Sequence, residues 1–448
     1  MRVSAHSLGN AIVTLAAGMA LAVLAHAQQA LPVSPPLITL TDAITRARQY
    51  SGQIQTANLA SLLATEDRVQ ARAAELPSLT SGNGFIYTQP NGTSSGVFVA
   101  NNGVREYIAQ AGVHQEALAL VRHGEVRRAM AAEAVARARV DVASRGLTAT
   151  VVQNYYAVVN AQRRLANSQR SVAESQRFFD ITQQLEQRGE AARADSIRAQ
   201  IDLQQRQRDL QEAETSIEKA KIALGVLIFP NFSSVFDVVD DLQPPALLPQ
   251  FAEADVQARV ANPDVKAASA GVQQAEYDVS VARYAYLPSL ALDVFYGLDS
   301  NQFARRTRLP PGSEMPYQQN LGYVAQGTLN IPVWNWGTTR SKVKQAEFKR
   351  NQAQLDLSVT QRTLQSNIAA IYAEARLAQQ QLDSLRTSVD LAVESLRLTL
   401  LRYQAGESTA LEVVDAQNTA TLARNAYDDG LARYRIALAN LQILTGNL

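Results

Sequence analysis

The chain has no cysteine among its 448 residues. That excludes disulfides, thiolate metal sites, a cysteine nucleophile and a lipid carried on an N-terminal cysteine. Histidine is nearly absent too. Beyond the first 27 residues only His114 and His123 remain, nine apart across an expected strand-to-helix change, which is not a metal-ligand spacing. The sequence lacks a G-x-S-x-G elbow, a P-loop and a dinucleotide fingerprint. Carboxylates are plentiful, but they fall on helical patterns with no apparent pocket. These gaps argue against an enzyme, a bound metal and a cofactor. Charge of one sign is also missing: 42 Lys and Arg face 41 Asp and Glu. Without the leader, which carries only Arg2, the two counts are equal at 41. Nothing basic is left over to attract nucleic acid. Beyond the leader no run reaches about 18 uninterrupted apolar residues, so no transmembrane helix is expected.

What is present begins with that leader. Arg2, an apolar run from Ala11 to Leu24 and Ala25-His26-Ala27 form a secretory signal over residues 1–27. Further on, Leu287–Leu298 alternates: Leu290, Leu292, Val294, Tyr296 and Leu298 share one parity, and Ser289, Ala291, Asp293 and Gly297 the other. Phe295 is the exception. Period two predicts a strand with one oily and one wetter face. Leu321–Val333 repeats the pattern, and each run is long enough to cross a bilayer as a tilted strand. The motif LPSL at Leu287–Leu290 has a twin at Leu76–Leu79, 211 positions earlier, followed by a second alternating run near Val104–Glu116. The chain thus holds four candidate strands in two hairpins. Four strands cannot close a membrane barrel, and an open edge in lipid leaves backbone groups unsatisfied. Copies must therefore pool their strands, two giving eight or three giving twelve.

The rest is helical. Thr39-Leu-Thr-Asp42 predicts a capping box at the head of a helix that is interrupted at Ser51-Gly52 and stopped by Pro77. From Leu118 to Gln187 there is no proline, which predicts a helix about 100 Å long. Gly189 breaks it and a second helix runs to Ile228. Residues 28–230 form a first repeat, 231–250 a proline-rich junction, and 251–448 a second repeat with its own break at Asn262-Pro263. Its long helix turns at Ala405-Gly406 and returns to Thr445. Leu364, Ile368, Ile371, Ala375, Ala378, Leu382, Leu385, Val389, Ala392, Leu396, Thr399 and Tyr403 keep a strict three-four spacing, a coiled-coil seam. Tyr427, Leu431, Tyr434, Leu438 and Leu441 do the same on the return. Long helices with a broad polar face suit the wall of a water-filled tube.

Two tandem copies of helix, LPSL, strand, loop, strand and long helical hairpin behind a signal peptide resemble the TolC-like outer-membrane efflux protein family. LTDAITRARQYS from Leu40, the strand exit Ile331–Gly337, Tyr403-Gln-Ala-Gly406 and Leu411–Gln417 carry the likeness across the mature chain. Ser51-Gly52 departs from the family's Asn-Pro, and the lipidated cysteine of many pump-linked members is missing. The resemblance implies a mainly α fold with membrane β: a trimeric outer-membrane β-barrel, four strands per chain and twelve in all. That barrel would continue into a long periplasmic coiled-coil α-barrel. It implies a homotrimer in outer-membrane lipid. Its partners would be a periplasmic adaptor (membrane fusion) protein and an inner-membrane pump of RND, ABC or MFS type, which pass small molecules or proteins outward.

Under that resemblance the hairpin turns Arg188, Gly189, Glu190 and Ala405, Gly406, Glu407, Ser408 become adaptor contacts rather than plain turns. Asp195, Glu412 and Asp415, just past the turns, would in a trimer form rings of carboxylates at a cation-sensitive pore gate; the alternative is a plain solvated helix face. Phe85, Tyr284, Tyr286, Trp334 and Trp336 are expected at the membrane interface, with ordinary packing at a domain junction the alternative for any one of them. Arg305, Arg306 and Arg308 fall in the second strand-to-strand loop, where solvation explains them better than binding of lipopolysaccharide or a phage. The rival reading is a periplasmic coiled-coil adaptor or scaffold without a membrane span. It has no use for two oily hairpins.

Overall fold

The computed structural model describes residues 36–90, 92, 103–231, 235–242 and 247–446. The expected leader over 1–27 and most of the first strand-to-strand loop lie outside the described residues. The first half contains β1 (Leu37–Ile38), α1 (Leu40–Tyr50), α2 (Gly52–Ala73), β2 (Ser78–Tyr87), β3 (Arg105–Leu118), α3 (Leu120–Gln187) and α4 (Arg193–Ile228). The second contains β4 (Asp237–Val238), α5 (Phe251–Ala261), α6 (Pro263–Tyr284) and β5 (Ser289–Ser300). It continues through β6 (Arg306–Arg308), β7 (Tyr317–Gln319), β8 (Leu321–Asn330), α7 (Thr338–Gln404) and α8 (Ala410–Thr445). The duplication is kept to the residue. The starts of α1, α2 and β2 recur 211 positions later in α5, α6 and β5, and α4 recurs as α8 after 217.

The helix starts follow their capping chemistry. At α1 the Thr39 hydroxyl accepts from the Asp42 amide at 3.2 Å, and the Asp42 carboxylate accepts from the Thr39 amide at 3.3 Å. At α6 the Asn262 side chain accepts from the Val265 amide at 3.1 Å, with Pro263 in the first helical position. The equivalent Ser51 makes no such bond at the start of α2.

The chain folds as two compact units. One gathers the sheet and the helices around it: Ala47–Gln153, Pro245–Leu391 and Asp429–Leu448. Its four-stranded antiparallel sheet has the order β2-β3-β5-β8. The register sorts the side chains. Leu79, Val113, Val294 and Ala325 lie in one cross-strand row, followed by Ser81, Ala111, Tyr296 and Tyr323, then Asn83, Ala109, Leu298 and Leu321. Leu292, Leu290 and Leu329 continue that face. The opposite face carries Ser78, His114, Asp293 and Gln326 in one row, with Thr80, Gln110, Asp299 and Thr328 nearby. One face is mainly apolar, with Ser81 and Asn83 of β2 among its polar positions; the other is mainly polar, with Ile86, Ile108, Phe295 and Val324 among it. Phe295 breaks the alternation because its ring lies over Gly112 in the opposite strand, where a Cβ would come within 2.8 Å of it. The ring covers a gap the glycine leaves in the polar face. Strands β2 and β8 each have only one neighbour, so both edges of the sheet are unpaired within the described residues.

The loop expected over Asp299–Gln319 holds a further ladder, β6 against β7. Asn320 closes it, donating to the Ala304 carbonyl at 2.9 Å and to the Thr307 hydroxyl at 2.7 Å. Three-residue strands around Pro310-Pro311-Gly312 are too short for alternation to be visible.

The other unit gathers the described residues of Met1–Arg46 with Asn154–Pro244 and Ala392–Asp428. The lead-in and the junction between repeats meet here: β1 pairs in parallel with β4, Ile38 opposite Val238. The buried Tyr155 hydroxyl pins the pair, donating to Val239 O at 2.7 Å and lying 3.3 Å from Ile38 O. This unit also holds both helix-hairpin turns. Along α7, every one of the seam residues from Leu364 to Tyr403 is buried or half-buried.

Candidate functional site

The two hairpin turns are built alike. Gly189 and Gly406 have φ of 74° and 79°, the left-handed conformation that only glycine adopts without strain. Behind them Glu190 N bonds Leu185 O and Glu407 N bonds Arg402 O, both at 2.9 Å, while each glycine amide bonds a carbonyl three residues back. This is a paired helix-end motif that satisfies carbonyls left over by α3 and α7. Arg188, Gly189, Glu190, Ala405, Gly406 and Glu407 are exposed, and Ser408 is half-buried.

The helices behind the turns pack through small and aromatic side chains. Phe178, Ala199, Tyr403, Ala410 and Val413 form one buried cluster, with the Phe178 and Tyr403 rings edge to face at 5.2 Å. Tyr403 is the last seam residue of α7. Its hydroxyl is buried and has no hydrogen-bond partner among the described residues. Burial, and then the nearby Asp195 carboxylate, push its phenol up to about 12.

The three carboxylates expected at a gate have different surroundings. Asp195 sits in the first turn of α4, half-buried, its charge felt by Tyr403. Glu412 holds the corresponding place in α8 but turns back on its own helix start. Ser408 donates to it at 2.9 Å, the Thr409 hydroxyl lies 3.2 Å away, and Thr409 in turn accepts from the Glu412 amide at 3.3 Å. These bonds, the Ser408 hydroxyl first, hold the Glu412 carboxyl below its usual range. Asp415, one turn on, is exposed and has no side-chain partner among the described residues.

A second polar cluster lies deeper, and the sequence reading missed it. Asp202 and Arg206 on α4 are both buried, 3.1 Å apart. The Ser175 hydroxyl of α3 donates to Asp202, and Arg206 also donates to Asn418 of α8. The cluster ties three helices together about three to four turns behind the tip. The same seam between α3 and α8 continues as a ladder of polar pairs. Ser171 meets Thr421 at 3.3 Å, Glu174 meets Arg424 at 3.0 Å, and Asn167 donates to Asp428 at 2.8 Å. Arg163 ends it, 2.9 Å from Asp428 and 2.6 Å from Asp240 beside β4. An Asp and an Arg four apart on a helix rich in such pairs give no sign in sequence that they are buried.

The aromatics expected at the membrane interface divide between the two ends of the sheet. Trp334, Trp336 and Tyr286 are exposed where β8 and β5 meet their helices, the indoles 5.7 Å apart. Phe85 is at the other end of the strands, with Tyr107 at 4.8 Å and Phe303 beyond it. Tyr284 is half-buried and packs on Gly124, where a Cβ would come within 3.2 Å of its ring.

A sequence profile of the family described as outer membrane efflux protein matches residues 43–228 and 256–447, both repeats. Among curated relatives, OprJ of Pseudomonas aeruginosa is 26% identical over 179 residues, 40% of this chain and 36% of its own length. The pyoverdine export outer membrane protein OpmQ of Pseudomonas putida is 32% identical over 187 residues, 40% of this chain and 35% of its own. The aligned stretch thus spans about a third of each of these relatives. Among solved structures, a membrane protein from Pseudomonas aeruginosa superposes with a TM-score of 0.79 at 21% identity, over 92% of this chain and 91% of that one. The open state of the MtrE outer membrane channel of Neisseria gonorrhoeae gives 0.75 at 22%, over 91% and 88%. Likeness at that identity establishes the fold: helical, internally duplicated, with four long strands per chain.

Proposed function

Because the chain belongs to the outer membrane efflux protein family, we propose that it is the exit duct of a tripartite efflux or type I secretion system. Its location is the outer membrane. Members of the family act as trimeric channels in tripartite efflux systems. Three copies of this chain pool their strands into one twelve-stranded barrel, oily face to the lipid and polar face to the lumen. The observation that carries this reading is the sheet itself. Its mainly apolar face runs across four strands, interrupted by Ser81 and Asn83 on β2, while both edges stay unpaired among the described residues. In hydrocarbon an unpaired edge costs several kcal/mol per exposed group, by an order-of-magnitude argument that leaves closure as the stable arrangement. A soluble adaptor has no use for such a face.

The exposed turns around Gly189 and Gly406 are the surface offered to a periplasmic adaptor, with an inner-membrane pump beyond it. The cargo is a small molecule or a polypeptide selected by that pump. Asp195 and Asp415 form the cation-sensitive part of the gate, and Glu412 supports it as a helix cap. The test is conductance of the purified full chain in planar lipid bilayers. A water-filled channel is expected, blocked by divalent cations from the side of the turns. Asp415→Asn is expected to weaken that block more than Glu412→Gln. A protein that never conducts would overturn the duct, and block indifferent to Asp195→Asn and Asp415→Asn would overturn the gate.

A further inference from the structure

The turn from β8 into α7, closed by the Thr338 amide on Asn335 O at 3.0 Å, carries two local penalties. Trp336 has φ of 54°, a left-handed backbone in a bulky residue, followed by Gly337 at 82°. That turn leaves Trp334 75% and Trp336 89% exposed. Immediately beyond, α7 opens with no acidic residue in its first turn. Arg340 sits there instead, Lys342 and Lys344 lie in the second turn, and Lys349 follows. Cations at a helix start oppose the helix dipole, so the helix itself gains nothing from them. All four are exposed and make no ion pair or hydrogen bond with any described residue. The acid among them, Glu347, is already paired with Arg283 at 2.8 Å. The cations flank both sides of the stripe through Thr339, Val343 and Ala346 that packs inward.

We propose that this collar binds the anionic headgroups of phospholipids in the periplasmic leaflet, with the two indoles seated at the level of those headgroups. The inference rests on reading the sheet as a membrane barrel. Indoles prefer the boundary between hydrocarbon and water, and unpaired Lys and Arg beside it meet phosphate-bearing lipid with favourable charge. Both penalties are then offset by one partner, the lipid surface. Phosphatidylglycerol, with its net negative charge, is preferred over zwitterionic phosphatidylcholine, and salt weakens the preference.

The experiment is native mass spectrometry of the full chain in mild detergent with the two lipids in competition. The wild type is expected to retain phosphatidylglycerol. Changing the four cations together (Arg340→Gln, Lys342→Gln, Lys344→Gln and Lys349→Gln) is expected to reduce that preference by roughly tenfold or more. Changing Arg305, Arg306 and Arg308 to Gln, in the loop at the opposite end of the strands, is expected to leave it intact. Equal retention of both lipids by the wild type, or equal loss in the two variants, would overturn the collar. Complete displacement of the lipid by millimolar inorganic phosphate would make it a simple anion site and overturn it as well. Should the collar variant fall apart into single chains, the cations belong to a subunit contact and the lipid reading fails. Conductance of the wild type in neutral bilayers tests the duct separately.

Discussion

The two hairpin turns descend from one motif, and they have diverged in a way that separates structure from function. Gly189 and Gly406 adopt the same backbone and close the same bonds. Six residues on, the same helical position holds Asp195 in one repeat and Glu412 in the other. Before Glu412 stands Thr409, and together they form a capping box; before Asp195 stands Ala192, which cannot form one. The second turn therefore commits its carboxylate to holding a helix start. The first leaves its carboxylate to act on the buried Tyr403 phenol. Equivalent acids in a duplicated chain need not share a role, and the hydroxyl three residues upstream decides which role each takes.

Four results would break or sharpen that comparison. The largest concerns Asp202 and its counterpart Thr419. Asp202→Ala removes the nearer carboxylate from the buried Arg206 guanidinium, leaving it Asn418, and Asp209 at 3.6 Å, and is expected to cost about 2–3 kcal/mol in denaturant unfolding. Thr419→Ala, on an exposed face, should stay within about 0.5 kcal/mol. Next come the glycines. Gly189→Ala and Gly406→Ala should each cost about 1–2 kcal/mol, and a large inequality would show that the turns are not equivalent. Then the caps: Thr409→Ala should cost about 1 kcal/mol, while Ala192→Ser should stabilise by a similar amount or less. The Glu412 carboxyl is depressed in the fold from its ordinary 4.5, so its part of the cap is present above that pH and is lost as pH falls through the folded value. The penalty of Thr409→Ala should therefore shrink in acid. Smallest is a titration. Asp195→Asn should lower the Tyr403 phenol from about 12, but not to the free value, because burial is the larger cause. Ultraviolet difference absorbance against pH reads this, and an unchanged titration would separate Asp195 from Tyr403.

Much of the architecture could be read from residues alone, because it rests on periodic signals. Every α7 seam position picked by spacing is buried or half-buried, and both LPSL motifs start strands as expected. What stayed hidden depends on which residues face each other across the fold. Alternation placed Phe295 as an anomaly, and only the pairing with Gly112 explains it. β1 and β4 are two residues each and leave no period to detect. The Phe85 end and the Trp336 end of the sheet look alike in sequence; register separates them. Asp202 and Arg206 are ordinary helix residues until α3 and α8 close over them. The difference between Asp195 and Glu412 was legible, since Thr409-Ala-Leu-Glu412 has the capping-box spacing and Ala192-Arg-Ala-Asp195 does not.

The account stands on one requirement, that the edges of β2 and β8 be sealed by other copies of the chain. Counting chains in the detergent-solubilised particle by native mass spectrometry measures this directly. Three chains per particle is the predicted result; a stable, folded particle of one chain would contradict it.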